Sequence, residues 1–309
     1  MPDLPKRTLG RTGLEVTTLG YGAMELRGGS RGREISEEQA QRVLNAVLDS
    51  GINFIDTSVD YGVSEERIGK YISHRRSEFY LATKCGCWAL PGEPPGGGDR
   101  FPHVFTPENI RAGIEQSLRR MKTDHVDVLQ FHSTPSRAQL EEHGGLQTLL
   151  DLKKEGKTRF IGVSGTLPNL KEQIELGVFD EFQIPYSALQ REHEDLITEA
   201  AKTGAGTVIR GGAARGGPGK EEGNSWEVWQ KVGIDDLIGD MPRMEFILRF
   251  TYSHPDLDTT IVGTVNPDHL QSNIDALLKG PLPADLYEEA KRRLALAGSA
   301  PRPMPLIGQ

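Results

Sequence analysis

Four side chains that together can hand a proton to a carbonyl oxygen stand at the ends of three apolar runs. Phe54-Ile55 leads into Asp56, with Tyr61 five residues on; Tyr80 to Thr83 leads into Lys84; Val128 to Phe131 leads into His132. Hydride addition to a carbonyl leaves negative charge on oxygen, so an acid must stand beside it. A free tyrosine, with a pKa of about 10, is a poor acid at neutral pH. A neighbouring ammonium favours the phenolate and lowers that value, the role expected of Lys84 toward Tyr61. Asp56 would keep Lys84 charged and aimed, and His132 would orient the carbonyl. Acid catalysis of this kind is worth roughly 10²–10⁴-fold. Each residue alone has an ordinary reading: a surface tyrosine beside a helix cap, an ion-paired aspartate or lysine, a satisfied strand-end histidine. Their joint placement carries the case.

What can bring them together is alternation of strands and helices. Short apolar or β-branched runs at 18–22, 53–55, 79–83, 126–131, 159–163, 182–184, 207–209 and 260–262 read as eight buried parallel strands. Helical patterns separate them. Ser36 with Gln39 reads as a capping box before Ala40, Val43, Leu44, Val47 and Leu48. Ser64, with Glu65 and Glu66, reads as the cap of the next helix, the acids matching its positive end. Thr106-Pro107 opens another, and one helix is expected over 137–155. Eight such units predict a single closed (β/α)8 TIM barrel of class α/β, one domain over 1–309. Strand C-termini share one mouth in such a barrel, and catalysis is placed there. Arg7 to Leu9 and Leu14 to Val16 flank turn residues and read as an N-terminal β-hairpin plugging the opposite end. An extra C-terminal helix is expected over 284–297.

Composition narrows the partners. A net charge of −8 and a pI near 5.6 argue against nucleic acid and anionic membrane, because phosphates reward clustered Lys and Arg. No apolar run approaches the roughly 20 residues that span a bilayer, and Met1 to Gly13 lacks the apolar core of a secretory signal. The two cysteines, Cys85 and Cys87, are too close to close a useful loop, so a reducing cytoplasm is the simplest reading. A packing or loop role fits them better than a redox or metal role.

Two stretches rich in Gly and Pro, 86–102 and 211–223, follow the third and seventh strands. Long loops in compact folds are usually functional, so both are expected to overhang the mouth as lids, with Trp88, Phe101, Trp226 and Trp229 walling an apolar pocket.

Phe54 to Glu65, Thr83-Lys84, Thr123 to His132 and Arg159 to Ser164 stand in an order that resembles the aldo-keto reductase family. The resemblance runs from Leu9 to Asn273. It implies a barrel that binds a nicotinamide cofactor without a Rossmann domain, consistent with the lack of a helix-opening G-x-G-x-x-G. It assigns catalysis to Asp56, Tyr61, Lys84 and His132. On the cofactor side it implies Gly22, Ala23 and Met24 after the first strand, and Asp56. Ser164 and Gln183 match the positions that hold the carboxamide, and Tyr186 the aromatic that stacks on the ring. Gly165 stands where Asn is frequent. Arg210, Gly211 and Gly212 replace a common Ser-Pro-Leu and still suit approach to a diphosphate. Gly263, Thr264, Asn266, His269, Gln271 and Asn273 match the adenosine-phosphate clamp. Gly263 and His269 replace frequent Lys and Arg, so NADP(H) is expected over NAD(H) with reduced discrimination.

The implied reaction is NAD(P)H-dependent interconversion of a carbonyl (aldehyde, ketone or sugar) and an alcohol. The competing reading is a non-enzymatic nucleotide-sensing subunit resembling the potassium-channel β subunits, which can retain the same four residues. A metal-dependent barrel hydrolase is disfavoured, since no H-x-H or H-E-x-x-H occurs and no metal is expected.

Overall fold

The computed structural model describes residues 3–28, 34–93, 103–216, 219, 221 and 224–303. Eight parallel strands close into a barrel: β3 (Leu19–Gly22), β4 (Phe54–Asp56), β5 (Tyr80–Cys85), β6 (Val126–His132), β7 (Thr158–Ser164), β8 (Glu181–Pro185), β9 (Gly206–Arg210) and β10 (Thr259–Val262). β10 pairs with β3 to complete the circle, Thr260 opposite Leu19 and Val262 opposite Tyr21. Helices surround it, and the helix Ala284–Leu296 is added after the last unit. No described helix is long and apolar enough to cross a membrane.

The N-terminal strands β1 (Lys6–Thr8) and β2 (Glu15–Thr17) pair antiparallel, one residue out of step with the expected bounds. Leu9, Leu14 and Val16 pack on Phe54, Ala82, Val128 and Val208 and seal the end where the strands begin. The fit is close at Gly10, whose φ is +44° and whose Cβ, were there one, would lie 2.2 Å from the Gly206 nitrogen. Asp258 fastens the turn by accepting N–H bonds from Gly10 at 3.1 Å and Thr207 at 2.9 Å.

Three local expectations are corrected. Ser64 is not a cap: the helix Ser64–Tyr71 has Val63 at that position, and the buried Ser64 hydroxyl instead donates to the Ala23 carbonyl at 2.9 Å. Glu65 is likewise turned inward, accepting from Thr83 Oγ1 at 2.8 Å, so it does not face the helix end from solvent. The expected helix over 137–155 is two, Arg137–His143 and Gly145–Lys154, because Gly144 adopts a left-handed φ of 66° between them. Ser36 does cap its helix, accepting from Gln39 N at 3.1 Å. Gln39, however, donates its amide to the Val265 carbonyl at 3.1 Å, tying that helix to the segment after β10.

Candidate active site

The four proposed catalytic residues occupy one mouth at the C-terminal ends of β4, β5 and β6. Lys84 and Asp56 are almost wholly buried and joined, Nζ to Oδ2, at 2.6 Å; Lys84 also donates to the Thr57 carbonyl at 2.8 Å. The ammonium sits 5.0 Å from the centre of the Tyr61 ring. Tyr61 and His132 meet edge to face with ring centres 5.9 Å apart. Tyr61 lies beyond β4 in a turn that only glycine permits at its next position. Gly62 has a φ of +50°, and a Cβ there would come within 2.3 Å of the Arg27 carbonyl oxygen. The same carbonyl accepts the Val63 N–H at 3.0 Å, so the loops after β3 and β4 are stitched together beneath Tyr61.

Electrostatics refine the expected roles. Burial works against the Lys84 ammonium, but Asp56 and Tyr61 outweigh it and push its pKa up to about 12. Burial raises the Tyr61 phenol and exceeds the lowering by Lys84, so Lys84 moderates the acid without driving it below its ordinary value. That corrects the simpler expectation of a net lowered tyrosine. His132 is pushed down to about 3 by burial first and then by the Lys84 charge, and it is neutral near pH 7. Its Nδ1 lies 3.0 Å from Cys87 Sγ, 3.4 Å from Ser58 Oγ and 3.5 Å from Asp60 Oδ1.

A cavity of about 400 Å³ opens over this group, lined by Met24, Arg27, Asp60, Tyr61, His103, His132, Ser133, Ser164, Gly165, Thr166 and Arg210. Ser133 carries a φ of +118°, a strained value for a residue with a side chain, directly after His132. A larger hollow of about 550 Å³ between Gly219 and Met244 shares no lining residue with the mouth, and its Asp235 carboxylate is paired with Arg243.

Of the residues assigned to the cofactor, Met24, Ser164 and Arg210 line the cavity. Ala23 is buried beside them and Gly22 ends β3. Gln183 is wholly internal, its amide donating to Asp56 Oδ1 at 2.8 Å and its carbonyl accepting from Ser164 Oγ at 2.8 Å. Gly263 packs on the end of β3, where a Cβ would lie 2.5 Å from the Gly22 carbonyl oxygen; at Gly212 one would lie 2.5 Å from Thr260 Oγ1. Gly211 has a left-handed φ of 75°. Thr264 is buried, Asn266 caps the helix Pro267–Leu278, and His269 is exposed on its first turn. Gln271 is engaged with Asp275 at 2.8 Å, and Asn273 is half-buried. Tyr186 stands apart: its ring is fully buried against Phe250 and His254, its hydroxyl 3.0 Å from that of Tyr287, and it does not line the cavity.

The expected aromatic wall also differs. Trp229 is fully buried against Phe246 and donates to Asp235, and Trp226 lies under Arg243. Trp88 donates to the Gly92 carbonyl at 3.0 Å. None of the three lines the cavity, while Phe101 and much of both expected lids, 94–102 and parts of 217–223, lie outside the described residues. Asp60, His103, Arg27, Ser133 and Thr166 are mouth residues that the sequence reading missed. Adjacency to Tyr61 and to His132 was a usable signal for Asp60 and Ser133. The other three carry none, since their approach depends on loop paths.

Residues 18–221 match the model of the aldo/keto reductase family, and the chain belongs to that family. Its members are oxidoreductases that use nicotinamide cofactors and act on small carbonyl compounds. The chain is 28% identical to the aldo-keto reductase AKR11C1 from Bacillus halodurans in its holo form, with a TM-score of 0.82 over 94% of this chain and 96% of that one. It is 27% identical over 319 residues to D-threo-aldose 1-dehydrogenase of a Pseudomonas species, covering 91% and 95% of the two chains. It is 36% identical over 178 residues to L-galactose dehydrogenase of Arabidopsis thaliana, covering 53% of this chain and 50% of that one.

Proposed function

We propose that this protein interconverts a carbonyl and an alcohol with a nicotinamide nucleotide, Tyr61 donating or accepting the proton. The observation that carries the reading is Lys84, held at 2.6 Å by Asp56 and 5.0 Å from the Tyr61 ring centre, with the His132 ring edge to face with the same tyrosine at 5.9 Å. The bound nucleotide supplies the hydride. The protein's share is position and proton handling. Neutral His132 hydrogen-bonds the substrate oxygen and holds it toward the Tyr61 hydroxyl. Tyr61, kept protonated by burial, gives up its proton as charge gathers on that oxygen. Lys84 stabilises the phenolate left behind, and Asp56 keeps the ammonium in place.

The residues fit such a cofactor. Gly263 is exposed at the end of β3 and carries no side chain there, which suits close approach of a diphosphate to its backbone. Ser164 lines the cavity with its hydroxyl held by Gln183 behind it, which suits an amide contact to a carboxamide. Arg210 lines the cavity and Tyr186 does not, so Arg210, whose guanidinium plane can stack on an aromatic face, is the residue that would hold the nicotinamide ring. NADP(H) over NAD(H) remains our reading of the segment Gly263 to Asn273. The lining by Asp60, Ser133, Thr166 and two arginines supports a hydroxylated substrate, in keeping with the two relatives named as sugar dehydrogenases.

Initial rates of NADPH oxidation with a panel of aldehydes, ketones and aldoses, and of NADP+ reduction with the corresponding alcohols and sugars, test this directly. Turnover lost in Tyr61→Phe is expected. Tight cofactor binding without turnover on any member of the panel would favour the nucleotide-sensing reading instead.

A further inference from the structure

Cys87, His103 and His132 each bring one soft donor atom to the cavity wall, and these three atoms all lie within 4.8 Å of one another. The sequence spacing hides the set, because one member follows β5, one follows the Gly- and Pro-rich stretch and one ends β6. Cys87 Sγ and His132 Nδ1 are 3.0 Å apart. Tetrahedral zinc, with bonds of about 2.0–2.3 Å to nitrogen and sulfur, needs its ligand atoms about 3.3–3.8 Å apart. Side-chain rotation of a fraction of an ångström to about one ångström brings all three to that spacing.

The scaffold holding these donors is built rather than incidental. Cys87 and His103 form a backbone bridge to each other. Asn109, fully buried, clamps the loop from below: its amide donates to the carbonyls of Cys87 at 3.1 Å and Val104 at 2.8 Å, and its oxygen accepts from Ala89 N at 2.9 Å. His103 stacks on Phe105 and meets His132 edge to face at 5.1 Å. One thiolate and two neutral imidazoles carry a single negative charge, and the Asp60 carboxylate 3.5 Å from His132 supplies a second. The opposing charges are the Lys84 ammonium, which is paired with Asp56, and the guanidinium groups of Arg27 and Arg210 in the same cavity wall. Cys87 is buried, His103 is exposed, and both histidines line the cavity, so the set opens toward it.

We propose that these three residues form an inhibitory site for a soft divalent cation, of which zinc is the prototype. On binding, the Cys87 S–H bond breaks, its proton passes to solvent, and the sulfur and two imidazole nitrogens bond the metal, with no change of oxidation state. The metal takes His132 out of its role toward the carbonyl and occupies the place of the substrate oxygen. Loss of activity by this route rests on the reading of His132 above; metal binding itself does not.

The test uses the whole protein with the metals alone. Cobalt(II) titration should give one equivalent of tetrahedral d–d absorption with a thiolate-to-cobalt charge-transfer band, displaced by zinc. Cys87→Ser should lose the charge-transfer band, and His103→Ala should weaken zinc at least tenfold, while Cys85→Ala keeps both signals. Circular dichroism and cofactor titration confirm that each variant is folded. In parallel, zinc should inhibit turnover competitively with the carbonyl, chelator should reverse it, and His103→Ala should raise the inhibition constant at least tenfold. Zinc affinity unchanged in both Cys87→Ser and His103→Ala would overturn the site. Binding without inhibition in an active enzyme would overturn the inhibitory role. A protein that binds zinc as described but turns over no carbonyl leaves the site standing and sinks the proposed function.

Discussion

Gln183 donates its carboxamide N–H to Asp56 Oδ1 at 2.8 Å, while the other oxygen of that carboxylate holds Lys84. The proton-handling residues and the residue assigned to the cofactor carboxamide are therefore one hydrogen-bonded chain, running Lys84, Asp56, Gln183, Ser164. All four are buried, so each bond lies in a medium where an unpaired partner is costly.

Gln183→Leu removes the middle of that chain. It should weaken nicotinamide nucleotide by roughly 5–30-fold, the range of one lost buried hydrogen bond. It should also lower kcat, because Asp56 loses a restraint. A double-mutant cycle with Ser164→Ala, read by cofactor fluorescence and turnover, should show coupling; strictly additive effects would mean that the chain does not act as a unit.

Tyr61→Phe should lower carbonyl reduction by at least about 10²-fold with cofactor affinity within a few-fold of wild type. The centre of the Tyr61 phenol ring lies 5.0 Å from the Lys84 ammonium and 5.9 Å from the centre of the His132 ring. Since burial raises its pKa, reduction should not decline from tyrosine ionisation anywhere between pH 6 and the phenol's ordinary 10.0. A variant retaining a tenth of wild-type turnover would remove Tyr61 from the role.

Glu181 lies inside the barrel, fully buried, opposite Gly162 in the β7–β8 register. Gly162 makes the room, since a Cβ there would lie 2.2 Å from Glu181 Oε2. Burial, reinforced by the Asp56 charge and opposed by Lys84, holds this carboxyl well above its ordinary 4.5. The folded state then keeps a proton that the unfolded chain releases. Stability should thus fall as pH rises from about 4.5, by up to about 1.4 kcal/mol per pH unit until the folded group itself ionises. Glu181→Gln keeps the shape and cannot ionise. Urea unfolding from pH 4.5 to 8 should show the variant gaining on wild type as pH rises; parallel curves would place a charged Glu181 in the folded protein.

The barrel and the Asp56, Tyr61, Lys84, His132 group were legible because period and position are local. Each strand is a short apolar run, and Asp56, Lys84 and His132 stand at or next to the ends of such runs, while Tyr61 follows β4 by only five residues. The rest depended on what crosses the barrel. Ser64 reads as a helix cap by type and spacing, yet the loop after β3 brings the Ala23 carbonyl to it and takes the hydroxyl away. Trp229 follows a strand end in sequence but is carried outward by its helix to Phe246. Tyr186 sits three residues past Gln183, and the chain leaves the mouth within that distance. His103 meets His132 only because Asn109 clamps the loop on Val104 and Cys87.

Cofactor discrimination should be set by the segment from Gly263 to Asn273. Gly263 carries no side chain, Gln271 is tied to Asp275, and Asn266 is spent on capping Asp268 N at 2.9 Å. His269, exposed on the first turn of the helix Pro267–Leu278, is left as the cationic candidate, at the end where the helix dipole already favours an anion. A charge-assisted hydrogen bond is worth about 1.5–3 kcal/mol, so one such contact to a 2′-phosphate gives about a 10–150-fold preference for NADPH. His269→Ala should bring the dissociation constants of NADPH and NADH to within a few-fold, by weakening NADPH and leaving NADH nearly unchanged. His269→Arg should widen the gap at least tenfold, because a guanidinium stays charged and can take two phosphate oxygens at once. Titration of all three proteins with both nucleotides decides it. A preference that survives His269→Ala would move phosphate recognition to another cation, and equal affinities in the wild type would mean that the 2′-phosphate is not read.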